Sequence, residues 1–313
     1  MYLQNRIACH RLLPICLGKE WCKPMKNFVI TTDTTCDLPK EYYEQHNLKL
    51  LPLYYNFNGT VYGGKNDLEL KVFYDMMRGG AMPTTMAVNP EIAREVFTGL
   101  LDEGYDILHI AFSSGLSGSC SVTTTVAREL CEERPDAKIT VIDSLCASLG
   151  EGLLVHKAVE LKDQGKSMEE IADWLEKNKL KLCHIFTVDD LHHLHRGGRV
   201  SKTTAIIGTL INVKPVLHVD NDGHLVPLKN VRGRKKALIS LVDQMEARIK
   251  GYENQNDIVF ISHGDCLEDA EYVASLVKQR FGIENILINY VSATIGAHSG
   301  PGTVALFFMG NPR

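Results

Sequence analysis

Ile107-Leu108-His109-Ile110-Ala111-Phe112 is an apolar run broken only by His109. Ser113-Ser114-Gly115-Leu116-Ser117-Gly118 follows it, and Ser119–Glu133 then carries a helical pattern. A strand that passes through a short glycine- and serine-rich loop into a helix is the unit from which parallel sheets are assembled. The same succession repeats on either side. Upstream, residues 28–32 read as a buried strand, and Asp37 with Pro39 opens a helix in cap-then-proline order. Residues 48–57 read as extended, and Asn58-Gly59 before Thr60-Val61-Tyr62 is a hairpin signal. Asp67 begins a helix that stops at Gly79-Gly80, and Asn89 caps another with Pro90 at its first position. Downstream, residues 139–142 form the next strand. The predicted fold class is α/β, with a mostly parallel sheet flanked by helices in this first part.

The pattern changes past Gly150. A helix runs to about Gln164, and Ser167 with Glu170 makes a capping box for the next. Residues 183–188 read as a strand, followed by the loop His195-Arg196-Gly197-Gly198-Arg199. Residues 213–219 and 225–231 flank the turn Asn221-Asp222-Gly223 as an antiparallel hairpin. Helices over 235–250 and 267–280 alternate with strands over 258–262 and 286–291. A glycine-rich loop then leads to a last strand over 303–309. This second part is predicted as a mixed sheet with helices. A length of 313 residues fits two domains. They are placed at 25–165 and 166–313, with a ligand cleft between them. Residues 1–24 are read as an extension outside the fold, so that Met1 and Met25 both stand as possible starts.

Composition removes several classes of function. Lys plus Arg number 34 against 38 Asp plus Glu, a net charge of −4, so there is no basic field for nucleic acid. The longest apolar runs fall well short of the ~20 residues of a spanning helix. Nine cysteines lack any C-x-x-C pair, which predicts reduced thiols, a cytoplasmic protein and no metal centre. A Walker loop and a G-x-G-x-x-G are both absent, and no cofactor is expected. No heptad or exposed edge pattern argues for an oligomer, so a monomer is expected.

Three hydroxyl-rich loops, over 82–90, 112–119 and 295–303, remain as places for chemistry. The second precedes a helix, whose free N–H groups favour an anion. It also resembles a damaged hydrolase elbow, Gly115-x-Ser117-x-Ser119, with His298 later in the chain and Asp33, Asp143 and Asp265 all available as the acid. A serine-dependent acyl hydrolase or a phosphotransferase is therefore the competing reading. Basic residues cluster at Arg196, Arg199 and Lys202, and again at Arg232, Arg234, Lys235 and Lys236. Arginine forks suit carboxylate or phosphate.

Val29-Ile30-Thr31-Thr32-Asp33-Thr34-Thr35-Cys36-Asp37-Leu38, the serine loop 113–119, Arg196-Gly197-Gly198-Arg199-Val200-Ser201 and His298-Ser299-Gly300-Pro301-Gly302 occur in one order and at comparable spacing. Together they resemble the DegV family of bacterial fatty-acid-binding proteins, over residues 27–312. The resemblance implies a long-chain fatty acid, such as palmitate, held in a tunnel between two α/β domains by a non-enzymatic carrier. It further implies that Thr85, Ser117 and His298 hold the carboxylate, with Ser114 and Gly118 as secondary contacts. A role in lipid transport or fatty acid metabolism follows, with the acid presented to a separate fatty-acid kinase for acyl-phosphate formation. Arg196, Arg199, Arg232 and Arg234 are then contacts to that partner or to phosphate. The chain departs from the family pattern in its first loop, where Thr85 is followed by Met86-Ala87-Val88-Asn89 in place of the usual S-Q-P-S. Residues such as Ile206, Ile207, Leu210 and Ile211 are equally suited to a tunnel lining or an ordinary core.

Overall fold

Successive side chains of a strand point to opposite faces, so a strand with nearly every residue buried must be covered on both sides. β1 (Phe28–Asp33) has five of its six residues buried. It lies in a four-stranded sheet with β2 (Lys49–Leu51), β6 (Asp106–Ala111) and β7 (Ile139–Asp143), in the order β2-β1-β6-β7, all parallel. Val29 and Ile107 face α3 (Pro90–Asp102) and α4 (Ser119–Glu133) in one apolar cluster. Ile30 and Leu108 face α5 (Leu149–Asp163) and α6 (Met168–Asn178) in another. The computed structural model describes residues 27–201, 212–311 and 313. The extension over 1–24, Lys202 and the lining candidates Ile206, Ile207, Leu210 and Ile211 lie outside the described residues.

The second sheet has six strands in the order β10-β9-β8-β13-β11-β12. These are β8 (Leu182–Thr187), β9 (Val213–Val219), β10 (Leu225–Arg232), β11 (Ile258–His263), β12 (Asn285–Tyr290) and β13 (Val304–Met309). Only β11 and β12 run parallel. One face packs on α8 (Arg234–Arg248) and α9 (Leu267–Phe281) through Leu238, Leu241, Val273 and Val277. The opposite face, with Phe260 and Phe307, shares a cluster with Leu149, Leu153 and Leu154. Helix α5 is therefore enclosed by both sheets, and its buried residues go all the way around. Gly150 makes this possible, since a Cβ there would stand 2.1 Å from His184 Nε2 and 2.9 Å from the Phe307 ring.

A third, antiparallel sheet joins β3 (Tyr54–Phe57) to β4 (Thr60–Tyr62) on one side and β5 (Thr84–Met86) on the other. Its inner face carries Tyr55 and Phe57. They pack edge-on against Phe73 of α2 (Leu70–Arg78), with centroids 5.3 and 5.7 Å apart. Ala293 and Ala297 of α10 (Ala293–Ser299) close this cluster. The Tyr74 hydroxyl donates to the Val291 carbonyl at 2.9 Å, tying this insertion to the C-terminal part.

The α/β class, the parallel first sheet and the mixed second sheet are as expected from sequence. So are the Asn58-Gly59 hairpin, the Asn89 cap and the Ser167–Glu170 capping box. Four local readings need correction. Residues 48–57 are two strands of different sheets, because the chain leaves the parallel sheet after Leu51. The helix expected from Asp67 starts at Leu70, since Asp67 Oδ1 instead accepts from the Tyr55 hydroxyl and the Leu68 amide. Asp37 does not cap α1: it ends the 3-10 turn Thr34–Cys36 at φ 54° with its carboxylate accepting from Ser148, and α1 (Lys40–Gln45) begins after Pro39. The glycine-rich loop expected before the last strand contains α10, whose small residues pack closely on α2.

Behind the first sheet lies a group of buried carboxyls. Asp37 is pushed up to about 7, chiefly by desolvation and against the Ser148 hydrogen bond. Burial raises Asp33 to about 7 as well. Glu151, which accepts from Thr32 at 2.8 Å and Thr35 at 2.9 Å, is held well above the carboxylate range by desolvation. A carboxyl with a raised folded pKa holds more protons folded than unfolded. Its stabilising contribution is complete below about pH 4 and is lost as the pH rises through about 7. Asp37→Asn, neutral throughout, is expected to gain Tm relative to the parent between about pH 5 and pH 8. A variant-minus-parent Tm difference that stays flat over that span in calorimetry would contradict the assignment.

Candidate functional site

In open α/β sheets ligands bind outside the carboxyl ends of the strands. Here that edge faces the second sheet. The segments after β6 and β7, together with β5, α10 and the free face of the second sheet, enclose a cavity with about 940 Å³ of empty space, its open mouth included. Phe112, Leu116, Phe186, Leu194, Ile295 and Phe307 supply much of its apolar wall.

At the mouth the polar groups converge. β5 pairs with β3 so that Thr85 lies opposite Tyr55 and is half-buried, between the exposed Thr84 and Met86. Thr85 Oγ1 is 2.8 Å from His298 Nε2 at the end of α10. The other ring nitrogen is buried with no hydrogen-bond partner among the described residues. It abuts Gly197, where a Cβ would come within 2.0 Å of it. Gly197, just after α7 (Leu191–Arg196), has φ −72°, so the requirement there is for space and not for backbone freedom. Burial first, and then Arg199 and Arg196, lower His298 to about 4, which leaves a neutral imidazole at pH 7. The tautomer protonated at Nε2 donates to Thr85 and frees the threonine proton for a ligand oxygen.

Ser117 reaches the same space from the turn before α4. Its Oγ accepts from the Ser119 amide at 3.2 Å and lies 2.9 Å from Ser119 Oγ. Ser119 in turn accepts from the Val88 amide at 3.2 Å. With Ser119 donating to it, Ser117 keeps its own proton for the cavity. Arg199 also lines the cavity, half-buried, and it forms no ion pair with a described carboxylate. Its Nε donates to the Leu116 carbonyl at 3.0 Å and a terminal nitrogen donates to Gly197. Both of these acceptors are main-chain oxygens, and no described carboxylate compensates the Arg199 charge beside the pocket.

Of the residues predicted from sequence, Thr85, Ser117, Gly118, His298 and Arg199 meet at this cavity. Ser114 lies outside it, exposed, with its amide on Asp143 Oδ1 at 3.1 Å. Arg196 is exposed beside His193 Nδ1 at 2.8 Å, and Arg232 is exposed at the end of β10. Arg234 is bound into ion pairs with Asp269 at 2.7 Å and Asp189 at 3.5 Å. The arrangement of a serine hydrolase does not form among the described residues. Ser117 bonds Ser119 and not His298. Asp33 binds the Phe112 amide, Asp143 the amides of Ser114 and Leu145, and Asp265 pairs with Arg78. None of the three orients His298. Sequence reasoning missed Ser148, His184, Ser262 and Ser299, which also line the cavity. Only Ser299 had a signal to find it, its place next to His298. Its buried hydroxyl has no partner among the described residues.

No helix among the described residues is long and apolar enough to cross a membrane. A family model described as an uncharacterised protein of the DegV family matches residues 27–311. A DegV domain-containing protein of Clostridium perfringens is 44% identical over 291 residues, covering 92% of this chain and 99% of that protein. Among solved structures, a DegV family protein from Thermus thermophilus described by its fatty acid binding superposes with a TM-score of 0.81 at 28% identity, over 91% of this chain and 99% of that one. DegV of Bacillus subtilis, described as a fatty acid binding protein, gives 0.78 at 29% identity, over 91% and 100%. A stearic-acid-binding protein from Eubacterium ventriosum gives 0.82 at 25% identity, over 90% and 97%.

Gly197→Ala places a methyl group in the space of the His298 ring. The variant is expected to keep its far-ultraviolet circular dichroism and to release His298 toward solvent. Its pKa should then rise from about 4 toward the ordinary value near ~6.5. An imidazole titration by NMR checks this, and an unmoved His298 pKa would contradict the contact.

Proposed function

The chain belongs to the DegV family, and from that premise we propose that it binds a long-chain fatty acid, such as palmitate, between two α/β domains that divide near Gly165. The observation that carries the reading is the Thr85–His298 pair, 2.8 Å apart at the mouth of an apolar cavity with Ser117 and Arg199 beside it. A carboxylate leaving water needs hydrogen-bond donors wherever it comes to rest. The Thr85 and Ser117 hydroxyls supply them, with the neutral His298 imidazole donating to Thr85 so that the threonine proton is free, and Arg199 supplies the opposite charge. The tail provides the affinity. At ~0.8 kcal/mol per buried methylene, a chain of ~15 methylenes gains ~12 kcal/mol before the costs of association.

Such a head-group site holds the acid without reacting with it. The protein is a cytoplasmic carrier in this reading, working in lipid transport or fatty acid metabolism. It needs no cofactor. Its carboxylate lies near the surface, where Arg196 and Arg232 are exposed for a separate fatty-acid kinase that forms the acyl phosphate.

Organic extraction of the purified protein followed by mass spectrometry should yield about one acyl chain per protein chain. Hydrogen bonds to a charged group contribute ~1.5–3 kcal/mol each. Thr85→Ala combined with Ser117→Ala should therefore weaken fatty acid binding by about 100-fold or more while the fold is kept. No acyl chain in the extract, together with no uptake by the delipidated protein, would remove the reading. Turnover of acyl esters with inactivation at Ser117 would favour a hydrolase, and phosphoryl transfer from ATP without a second protein would favour a phosphotransferase.

A further inference from the structure

The floor of the cavity is a patch of the second sheet with an ordered composition. Register places Ser262 beside Ala305 and Ala305 beside Phe186 in one row across β11, β13 and β8. The next row is Phe260, Phe307 and His184. A serine is thus set among apolar side chains, 0% exposed, on the wall along which a tail would lie. Ser148, at the first turn of α5, stands over it with the two Oγ atoms 2.9 Å apart. Ser148 also donates to the buried carboxyl of Asp37. It does so from φ 55°, ψ −145°, a region that residues other than glycine enter only when their surroundings hold them there. All three groups are buried where Thr85, Ser117 and His298 are only partly so, and Ser148 and Ser262 line the cavity as a second polar place apart from the Thr85–His298 pair.

Each hydroxyl has one proton to give. Ser148 is placed as donor to both Asp37 and Ser262, and its one proton serves one of them at a time. Unused lone pairs of the two oxygens then remain for the cavity. A plain methylene chain leaves them unmatched, whereas an O–H on the chain donates to them. When Asp37 carries its proton the donors run from Asp37 through Ser148 to Ser262, and the Ser262 proton is left for the cavity. A hydroxyl group matches both directions, and an unsubstituted chain matches neither.

Resting on the fatty-acid reading above, we propose that Ser148 and Ser262, backed by Asp37, form a second subsite for a hydroxyl group on the acyl chain, so that the cavity selects hydroxy fatty acids with the substituent at one position. The test is competition binding on the delipidated full-length chain, with stearate against a series of hydroxystearates that differ only in the position of the hydroxyl. One isomer is expected to bind at least as tightly as stearate, and the others about 10-fold more weakly. Ser262→Ala is expected to shift the ratio of that isomer's affinity to stearate's about 10-fold toward stearate, and Ser148→Gly, which also relieves the backbone, should shift it the same way. If every isomer binds more weakly than stearate by the same factor in parent and variants, the subsite is wrong while the carrier reading stands. If stearate itself fails to bind, the carrier reading falls and takes this one with it.

Discussion

The enclosure of α5 between two sheets is the contact on which the remaining architecture depends. Most helices bury one stripe, but Leu149, Leu153, Leu154, Val155 and Ala158 bury this one on several sides. In its first turn Gly150 admits the His184 and Phe307 rings that a side chain would push away. This packing brings the carboxyl ends of β6 and β7 to face the second sheet, and the cavity is the space left beside the helix start.

The electrostatics of this interior are unusual for how little charge they use. Asp33, Asp37 and Glu151 are all driven toward their neutral forms by burial, and His109 and His298 are driven to theirs, to about 3 and about 4. Hydroxyl groups of Thr32, Thr35, Ser148 and Thr85 meet these side chains as partners. These contacts are hydrogen bonds and not fixed ion pairs, so less desolvated charge has to be compensated, while one buried atom each of Asp33, Asp37, His109 and His298 has no hydrogen-bond partner among the described residues. Arg199 is the exception at the cavity, and its guanidinium is half-buried rather than enclosed.

Much of the fold was legible because local rules and tertiary packing agree. The run Asp106–Ala111 followed by Ser119–Glu133, the Asn89 cap and the Ser167–Glu170 box each appear where the residues place them. Reading failed where a long-range partner outweighed a local preference. Asp37 has the composition of a cap but turns its carboxyl to Ser148, 111 residues away. Residues 293–299 read as a loop because alanine and glycine there serve close packing against Phe73 and Tyr74, a need that only the folded chain reveals.

The amino-acid order alone determined the α/β class, the parallel first sheet and the mixed second one, since periodicity and turn chemistry are properties of neighbouring residues. It also marked Thr85, Ser117, Gly118, Arg199 and His298 as members of one family pattern. The tertiary structure alone decided that these five share a cavity while Ser114 and Arg234 stand apart, and that Ser148, Ser262, His184 and Ser299 belong to its wall. The physical reason is distance along the chain. Thr85 and His298 are 213 residues apart, and whether their side chains meet depends on how an inserted antiparallel sheet packs on the last helix, which no local pattern encodes.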